Sequence, residues 1–324
     1  MLLSFIIPVY NVEAFVGFCL QSILSDPVDA DSFEVIIIND GSKDQSMSVV
    51  RKICAGHENI HILDQNNQGL SAARMNGMKK AQGKYVWFID SDDWLKAGSV
   101  CHILSLLERI EPDVIVTPLH WRYKDGRKDF FDITITEDKH YLGKDYLSES
   151  LLPVWAAPRY IIKKDFLKNN TWINFPLNTL HEDEYFGRVL LYSARFVYVH
   201  RNALYNYRQH ENSIMSSISI KNAFDLVKLH KLLKRFLKTH VLPENQLWFR
   251  QNIFKNFLLT NYYHRGYQFG GKDFNRFLFN NRGYIIWEYV RAIPNKTPKK
   301  VIGDIAFLFA PFLYTKYKSL RYID

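Results

Sequence analysis

Cysteine is scarce in this sequence, and long hydrophobic runs are absent. Cys19, Cys54 and Cys101 are widely separated and form no CxxC pair, which argues against a disulfide scaffold or a zinc site. A helix that spans a bilayer needs about 20 apolar residues in a row, and no run approaches that length. The first residues contain no basic leader of the kind that directs secretion. We therefore expect a cytoplasmic protein, with a peripheral position on the inner face of the cell membrane as the alternative.

The common glycine-rich phosphate loops are also missing. No GxxxxGK[ST] sequence occurs, which argues against simple nucleotide hydrolysis. No GxGxxG follows a predicted strand, which removes the usual dinucleotide site. The chain contains no internal repeat and no low-complexity segment.

Positive charge is unevenly distributed along the chain. Residues 221–324 hold 19 Lys and Arg against 6 Asp and Glu, whereas residues 1–220 hold 23 against 27. Beyond residue 220, leucines at helical spacing replace the strand patterns, and basic and aromatic residues lie among them. We expect one domain at 1–220 and a basic, aromatic-rich helical region at 221–324. No motif supports nucleic-acid binding by this region.

The first 120 residues alternate between buried-strand and amphipathic-helix patterns joined by short loops. This alternation predicts an α/β fold whose mostly parallel central sheet has helices on both faces. The segment 4–10 is predicted to contain a short strand that stops at Pro8. The other predicted strands are 33–38, 60–63, 85–89 and 113–117. Further on, 195–200 and 203–208 are predicted to form a hairpin.

Three carboxylates follow the strand 85–89 within four residues: Asp90, Asp92 and Asp93. Like charges at about 4 Å repel by roughly 1 kcal/mol in water and by more near a protein surface. The cluster is therefore either a solvated turn or a site for a hard divalent cation such as Mn²⁺ or Mg²⁺. Asp40 and Tyr10 follow neighbouring parallel strands, and ligands bind at that edge of such sheets, which favours the cation site.

A second acidic cluster, His181–Glu184, precedes a helical pattern at 185–192. Acids at a helix N-terminus are stabilised by the helix dipole by a few tenths to about 1 kcal/mol. Helix capping could therefore account for this cluster without any catalytic function.

Four short motifs occur in order, each at a predicted strand end or helix start. They are Ile7–Asn11, Ile38–Asp44, Asn67–Arg74 and Asp90–Asp93. Together these motifs resemble those of glycosyltransferase family 2. The resemblance covers about residues 1–120 and returns near residues 181 and 207. It implies the GT-A fold and an inverting transfer of sugar from a nucleotide donor.

The resemblance also implies functions for individual residues. Those that match donor-binding positions are Pro8, Tyr10 and Asp40 for the base and ribose, and Asn67 and Arg74 in the motif that closes over the base. Those that match the DxD carboxylates, which contact the ribose and the metal, are Asp90 and Asp92. Asp183 matches the catalytic base, with Glu182 in support. Arg208, His210 and Ser213 lie where family members contact the donor phosphates or complete the metal site. Asp93 is an additional acid that we expect to start the next helix.

The activity implied is that of an inverting, Mn²⁺- or Mg²⁺-dependent glycosyltransferase. The expected donor is a UDP-sugar, and the expected acceptor is a hydroxyl of a glycan or lipid-linked glycan in surface polysaccharide synthesis. Two alternatives remain open. A nucleotidyltransferase that forms sugar nucleotides would normally carry a glycine- and basic-rich loop after the first strand, where this chain has Tyr10–Glu13. A non-catalytic glycan-binding scaffold would be expected to lack an acid at Asp92 or Asp183.

The last part of the chain combines an apolar segment with flanking lysines. Residues 302–317 are mostly apolar, and Lys299, Lys300, Lys316 and Lys318 flank them. Such a segment either lies in an anionic membrane interface, where each basic residue adds about 1 kcal/mol, or packs on the protein as an ordinary tail.

Truncation of this tail distinguishes the two interpretations. If the segment binds membranes, removing the residues from 300 onward should reduce sedimentation with anionic vesicles far more than it reduces activity without vesicles. Neutral vesicles serve as the control, because the lysines gain nothing from an uncharged surface. Equal sedimentation of the two proteins with anionic vesicles would rule out the membrane interpretation.

Overall fold

A computed structural model of the chain describes residues 1–123, 130–131, 137–149, 156–210, 220–250 and 283–284. The chain divides into two compact units, Met1–Ser216 and Ser217–Asp324. The functional division at residue 220 stays a prediction. The apolar tail, residues 302–317, lies outside the described ranges. Within those ranges, no helix combines the length and the apolar character that crossing a membrane requires.

Strands of the first unit form two sheets. The larger sheet has the strand order β3-β2-β1-β4-β10-β6-β11-β9, and the smaller has the order β5-β12-β7-β8. In chain order the strands are β1 (Leu3–Val9), β2 (Phe33–Asn39), β3 (Ile60–Asp64), β4 (Tyr85–Phe88), β5 (Trp94–Leu95), β6 (Val114–Val116), β7 (Leu119–Tyr123), β8 (Phe130–Phe131), β9 (Lys139–Tyr141), β10 (Tyr160–Lys163), β11 (Val197–Val199) and β12 (Tyr205–Gln209).

The first four strands of the larger sheet are parallel to one another, as the sequence predicts. The sheet becomes mixed beyond β4, because β10 lies antiparallel between β4 and β6, and β9 is antiparallel to β11. The loops that follow β1, β2 and β4 therefore meet at one edge of the sheet. This edge holds the motif residues of the first 120 positions.

In the first unit, helices directly follow β1, β2, β3, β5, β9 and β10, and two of the described helices lie in the second unit. They are α1 (Val16–Leu24), α2 (Ser46–Cys54), α3 (Leu70–Lys80), α4 (Ser99–Arg109), α5 (Gly143–Glu149), α6 (Lys164–Asn169), α7 (Glu182–Ser193), α8 (Ile220–His240) and α9 (Pro243–Phe249). Short 3₁₀ turns occur at Ala30–Ser32 and Ala157–Arg159. In the second unit, α8 buries Leu226, Leu229 and Leu233, as their helical spacing predicts.

Both faces of the larger sheet are covered. Alternate residues of a strand point to opposite faces, and Phe5 and Ile7 belong to a buried cluster that includes residues of α1, α2 and α4. On the other face, Ile6 packs under α3, and Phe88 contacts Phe186 of α7 edge to face. This two-sided burial explains why β1, β2 and β4 are continuous apolar runs rather than alternating ones.

Pro8 lies within β1 rather than at its end. The strand continues to Val9, and Pro8 pairs with Ile38 of β2. The backbone N–H and C=O groups of even-numbered residues in β1 point toward β4. The pairing of β1 with β4 ends at Ile6, before Pro8 is reached. The missing N–H of Pro8 therefore costs no bond within the ladder, which is how a proline is accommodated in this central strand.

The predicted hairpin at 195–208 is wrong. Val197–Val199 joins the larger sheet beside β6, whereas Tyr205–Gln209 joins the smaller sheet between β5 and β7. Both segments have strand character, but the sequence does not reveal that successive strands belong to different sheets. As a result, β12 lies next to β5, the short strand that directly follows the acidic cluster Asp90–Asp93.

A substitution at Gly77 of α3 would test how tightly this helix packs on the sheet. An added methyl group would lie 2.4 Å from Cγ2 of Ile6, and overpacking of this kind costs about 1–3 kcal/mol. Gly77→Ala should therefore lower the free energy of unfolding in urea, despite the gain of about 1 kcal/mol in helix propensity. Gly17→Ala in α1 is the matched control, since its methyl would meet only side chains at 3.3 and 3.4 Å. Equal stability of the two variants would contradict the close packing of α3.

Candidate active site

The loops after β1 and β2 brace each other through their backbones and short side chains. Asn11 has a left-handed backbone, with φ of 52°, and its Oδ1 accepts the Lys43 N–H at 2.8 Å. The Glu13 N–H donates to Asp44 at 3.0 Å, and the Gln45 N–H donates to Glu13 at 2.7 Å. These bonds fix the loop that carries Tyr10, whose ring is 46% exposed at the sheet edge.

Asp40 holds the next loop in place. Its two carboxylate oxygens accept the backbone N–H groups of Gln68 at 2.7 Å and Gly69 at 2.9 Å. The amide of Gln65 adds a third bond at 2.7 Å. Gly69, with φ of 84°, makes the turn into α3. Asn67 is exposed between these anchors, so the structure brings it to the same edge as Tyr10 and Asp40.

Arg74 connects the two acidic clusters. Its guanidinium donates to Oδ1 of Asp90 and to Oε1 of Glu182, both at 2.7 Å, and lies over the ring of Phe175. The side chain is only 2% exposed. Burial lowers the pKa of this guanidinium. The carboxylates of Asp90 and Glu182 raise the pKa by a larger amount, so the net shift is upward. Arg74, which the resemblance places in the motif that closes over the base, lies buried between these two carboxylates, and its contribution to donor binding stays a prediction.

Asp93 does not start a helix, contrary to the prediction. The next helix, α4, begins at Ser99, and Asp26 caps it by accepting the N–H groups of Gly98 at 2.7 Å and Val100 at 2.8 Å. Asp93 is 1% exposed and faces β12. Its Oδ2 accepts the Tyr205 hydroxyl at 2.6 Å, and its Oδ1 accepts the Arg208 N–H at 2.7 Å.

Asp92 and His210 form a pair beside this anchor. Their Oδ2 and Nε2 atoms are 2.9 Å apart, and the imidazole packs on Phe15. Burial, followed by the charge of Asp90, raises the pKa of Asp92, whereas His210 lowers it. Nδ1 of His210 is buried and has no hydrogen-bond partner among the described residues.

The pair fits a divalent cation in chemistry and spacing. Two ligands on adjacent corners of an octahedron with bonds of about 2.1 Å are about 3.0 Å apart, close to the observed separation. Across the described ranges, no group of three or more His, Cys, Asp or Glu residues is arranged to hold a metal. A site with few protein ligands suits Mg²⁺ or Mn²⁺, which binds through one or two carboxylates together with substrate phosphates. Asp90, the other predicted ligand, already contacts Arg74 through Oδ1.

Arg208 lies next to Asp92. Its Nε donates to the carbonyl oxygen of Asp92 at 2.7 Å, and its guanidinium stacks over Trp94 at 4.4 Å. The terminal nitrogens make no hydrogen bond to the residues that the structure describes. A guanidinium held by its Nε, with its terminal nitrogens unbonded, is suited to bind phosphate oxygens.

Asp183 differs from the acids around it. It lies in the first turn of α7, where Glu182 bonds to Arg74 and Glu184 bonds to Arg188. No hydrogen bond of the Asp183 carboxylate occurs within the described ranges. Burial, and next the charge of Glu182, raises the pKa of Asp183 well above its usual value, although Arg74 opposes the shift. A carboxylate with a raised pKa and no partner is suited to accept a proton.

The structure thus brings most of the predicted site residues to one edge of the sheet. Tyr10, Asp40 and Asn67 lie in the loops after β1, β2 and β3, Asp90 and Asp92 follow β4, and β12 brings Arg208 and His210 to the acidic loop. Glu182 reaches Asp90 through Arg74. Ser213 lies outside the described residues. Sequence reasoning missed Tyr205, because an ordinary strand tyrosine gives no signal of the acid it contacts.

Comparison with known proteins relates the chain to one family. The family described as "Glycosyl transferase family 2" matches residues 4–190. The "Minor teichoic acid biosynthesis protein GgaB" of Bacillus subtilis is 28% identical over 254 residues, covering 73% of this chain and 27% of that protein. The matches to four curated relatives, GgaB among them, span between 27% and 65% of the length of those proteins.

Two solved structures have a similar fold. The complex of S. aureus TarS 1-349 with UDP-GlcNAc aligns with a TM-score of 0.64 at 19% identity, covering 90% of this chain and 88% of that one. The mannosyltransferase PcManGT of Pyrobaculum calidifontis, in complex with GDP-Man and Mn²⁺, aligns with a TM-score of 0.53 at 12% identity, covering 98% and 87%. These likenesses confirm the predicted GT-A fold class.

The raised pKa of Asp183 predicts a pH dependence. A base must be ionised to act, and a carboxyl whose pKa is raised keeps its proton to higher pH. The kcat/KM of the reaction should therefore rise with pH along a limb that lies well above 3.8, the ordinary value for Asp. Circular dichroism over the same pH range controls for unfolding. An acidic limb near pH 4 would contradict the assignment.

Proposed function

The chain belongs to glycosyl transferase family 2, and we propose that it transfers a sugar from a nucleotide donor to an acceptor hydroxyl with inversion at the anomeric carbon. The observation that carries the proposal is the arrangement of acids at the sheet edge. Each of Asp90, Asp92, Asp93 and Glu182 has a protein partner. Asp183 is the acid of this group that has no hydrogen-bond partner among the described residues. Its pKa is also raised.

The reaction needs one proton acceptor and one displacement. Asp183 takes the proton of the acceptor hydroxyl as that oxygen bonds to the anomeric carbon. The bond between this carbon and the diphosphate oxygen breaks on the opposite side, and the electron pair leaves with the nucleoside diphosphate. Glu182, held by Arg74, fixes the start of α7 and so positions Asp183. General-base catalysis of this kind contributes on the order of 10²–10⁴ in rate.

We assign donor binding to the residues of the braced loops. Pro8, Tyr10, Asp40 and Asn67 surround the region where the base and ribose would bind, and the exposed ring of Tyr10 offers a stacking surface. The unbonded terminal nitrogens of Arg208 suit the pyrophosphate. The donor we expect is a UDP-sugar, since the TarS structure is a complex with UDP-GlcNAc.

We also propose that Asp92 and His210 hold Mn²⁺ or Mg²⁺, with Asp90 close by. When bound, such an ion supplies positive charge that stabilises the departing diphosphate. Support comes from the spacing of the pair and from its donor atoms, a carboxylate oxygen and an imidazole nitrogen. The complex of PcManGT contains Mn²⁺.

The proposed acceptor is a cell-surface polymer or its lipid-linked precursor. GgaB is named for minor teichoic acid biosynthesis, and another relative is named "Poly(ribitol-phosphate) beta-glucosyltransferase". A place on the inner face of the membrane would bring the chain close to a lipid-linked acceptor. The lysines that flank residues 302–317 are consistent with that location.

The assignment is tested by screening nucleotide sugars for donor hydrolysis and transfer, with and without Mn²⁺, and then comparing two variants. Asp183→Asn should keep donor affinity near that of the wild type while transfer falls by about 10²–10⁴, because only the proton acceptor is lost. Asp92→Ala should abolish the metal dependence together with the activity.

Asp165→Asn is the matched control. Asp165 is an exposed acid in the first turn of α6, and its ion pair among the described residues is with Lys168 at 3.5 Å. Unchanged transfer by Asp183→Asn would refute the base. Full activity of Asp92→Ala would refute the metal site.

A further inference from the structure

Tyr205 makes hydrogen bonds to both ends of the acidic loop. Its hydroxyl donates to Oδ2 of Asp93 at 2.6 Å and accepts the backbone N–H of Asp90 at 3.1 Å. The Asp93 N–H in turn donates to the carbonyl oxygen of Asp90 at 3.1 Å. One buried hydroxyl therefore closes the turn that contains Asp90, Ser91 and Asp92.

The second oxygen of Asp93 fixes the strand that approaches this turn. Oδ1 accepts the Arg208 N–H at 2.7 Å, so β12 is attached to Asp93 at Tyr205 and again at Arg208. From this strand the Nε of Arg208 reaches the carbonyl of Asp92, and two residues later His210 reaches the Asp92 carboxylate. The positions of Arg208 and His210 relative to Asp92 thus depend on the register between β12 and Asp93.

We infer that Tyr205 and Asp93 are positioning residues, which hold the Asp92 carboxylate and the His210 imidazole at the spacing that a divalent cation and a diphosphate require. The inference rests on the proposed function. It assigns to Asp93 a function distinct from metal binding, because both of its carboxylate oxygens accept hydrogen bonds from β12. Neither residue contacts the reacting atoms; each acts through Asp92, Arg208 and His210.

A structural contribution alone would give a different result from a positioning one. Loss of a buried hydrogen bond lowers stability wherever it occurs, whereas loss of a partner that orients a ligand lowers metal affinity by about 10–100-fold. The chain offers a matched bond for comparison. The Tyr198 hydroxyl donates to Oδ2 of Asp138, also at 2.6 Å, from a buried ring on β11.

The experiment compares Tyr205→Phe with Tyr198→Phe in the full chain. Three quantities are measured: the melting temperature, the Kd for Mn²⁺ by electron paramagnetic resonance, and the Kd for UDP with and without Mn²⁺. Both variants should lose thermal stability, Tyr205→Phe more than Tyr198→Phe, because Tyr205 loses two hydroxyl bonds in a buried position and Tyr198 loses one partly buried bond. Only Tyr205→Phe should raise the Kd for Mn²⁺, by about 10–100-fold, and weaken the metal-dependent part of UDP binding.

A second variant guards against misfolding. Asp93→Asn keeps the size of the side chain but has one acceptor oxygen where Asp has two, so the Tyr205 hydroxyl and the Arg208 N–H can no longer each donate to an oxygen of their own. It should also raise the Kd for Mn²⁺, while near-ultraviolet circular dichroism checks that the fold is intact.

The outcomes separate the two proposals. If the wild type binds UDP with Mn²⁺ and Tyr205→Phe binds both equally well, the positioning role is overturned and the proposed function stands. If Tyr198→Phe weakens Mn²⁺ binding as much as Tyr205→Phe does, the effect is general destabilisation, and the inference is overturned. A wild-type chain that binds neither UDP nor Mn²⁺ overturns both proposals.

Discussion

The ion pairs of Arg74 are the interaction on which the rest of the site depends. Acids from two distant parts of the sequence, Asp90 and Glu182, meet at one edge of the sheet, and their charges would oppose that approach. A single guanidinium bonds to both at 2.7 Å. Buried charges are tolerated when they are paired and hydrogen-bonded. The cation therefore lets the acidic loop and the start of α7 lie side by side, and it leaves Asp183 as the acid of this group that has no hydrogen-bond partner among the described residues.

Around this pair, the site divides into a braced part and a part with unbonded groups. The loops after β1, β2 and β3 are linked through Asn11, Asp40 and their backbone partners, so a donor would meet a surface that is already formed. Preorganised sites lose less conformational entropy on binding. Among the described residues of the site, the terminal nitrogens of Arg208 and the carboxylate of Asp183 make no hydrogen bond, and these are groups proposed to act on the substrate.

Much of this arrangement follows from the sequence, and the limits have physical causes. Strand and helix periodicity predicted the parallel sheet, and strand ends placed Tyr10, Asp40 and Asp90 together, because both signals are local. The partners of Asp93 could not be predicted, since they depend on which strand lies beside the acidic loop. Those of Arg74 depend on the position of α7 next to the same loop, which is also not a local signal. That strand, β12, was assigned to a hairpin with β11, whereas it pairs with β5 and β7 in the other sheet. The first four residues of β12 alternate aromatic and polar side chains, a pattern that does not indicate which strands lie beside them.

The close contact between α3 and the sheet has a consequence for the charges at the site. Gly77 follows Arg74 by three residues and therefore lies on the same side of α3. The absence of a side chain at Gly77 lets the helix axis approach Ile6, and that distance also determines how far the guanidinium extends toward Asp90 and Glu182. A packing contact in the apolar interior thus acts as a spacer for an electrostatic one. Substitutions at Ile6 or Gly77 in the apolar interior would therefore act on the charged site through the distance between one helix and the sheet.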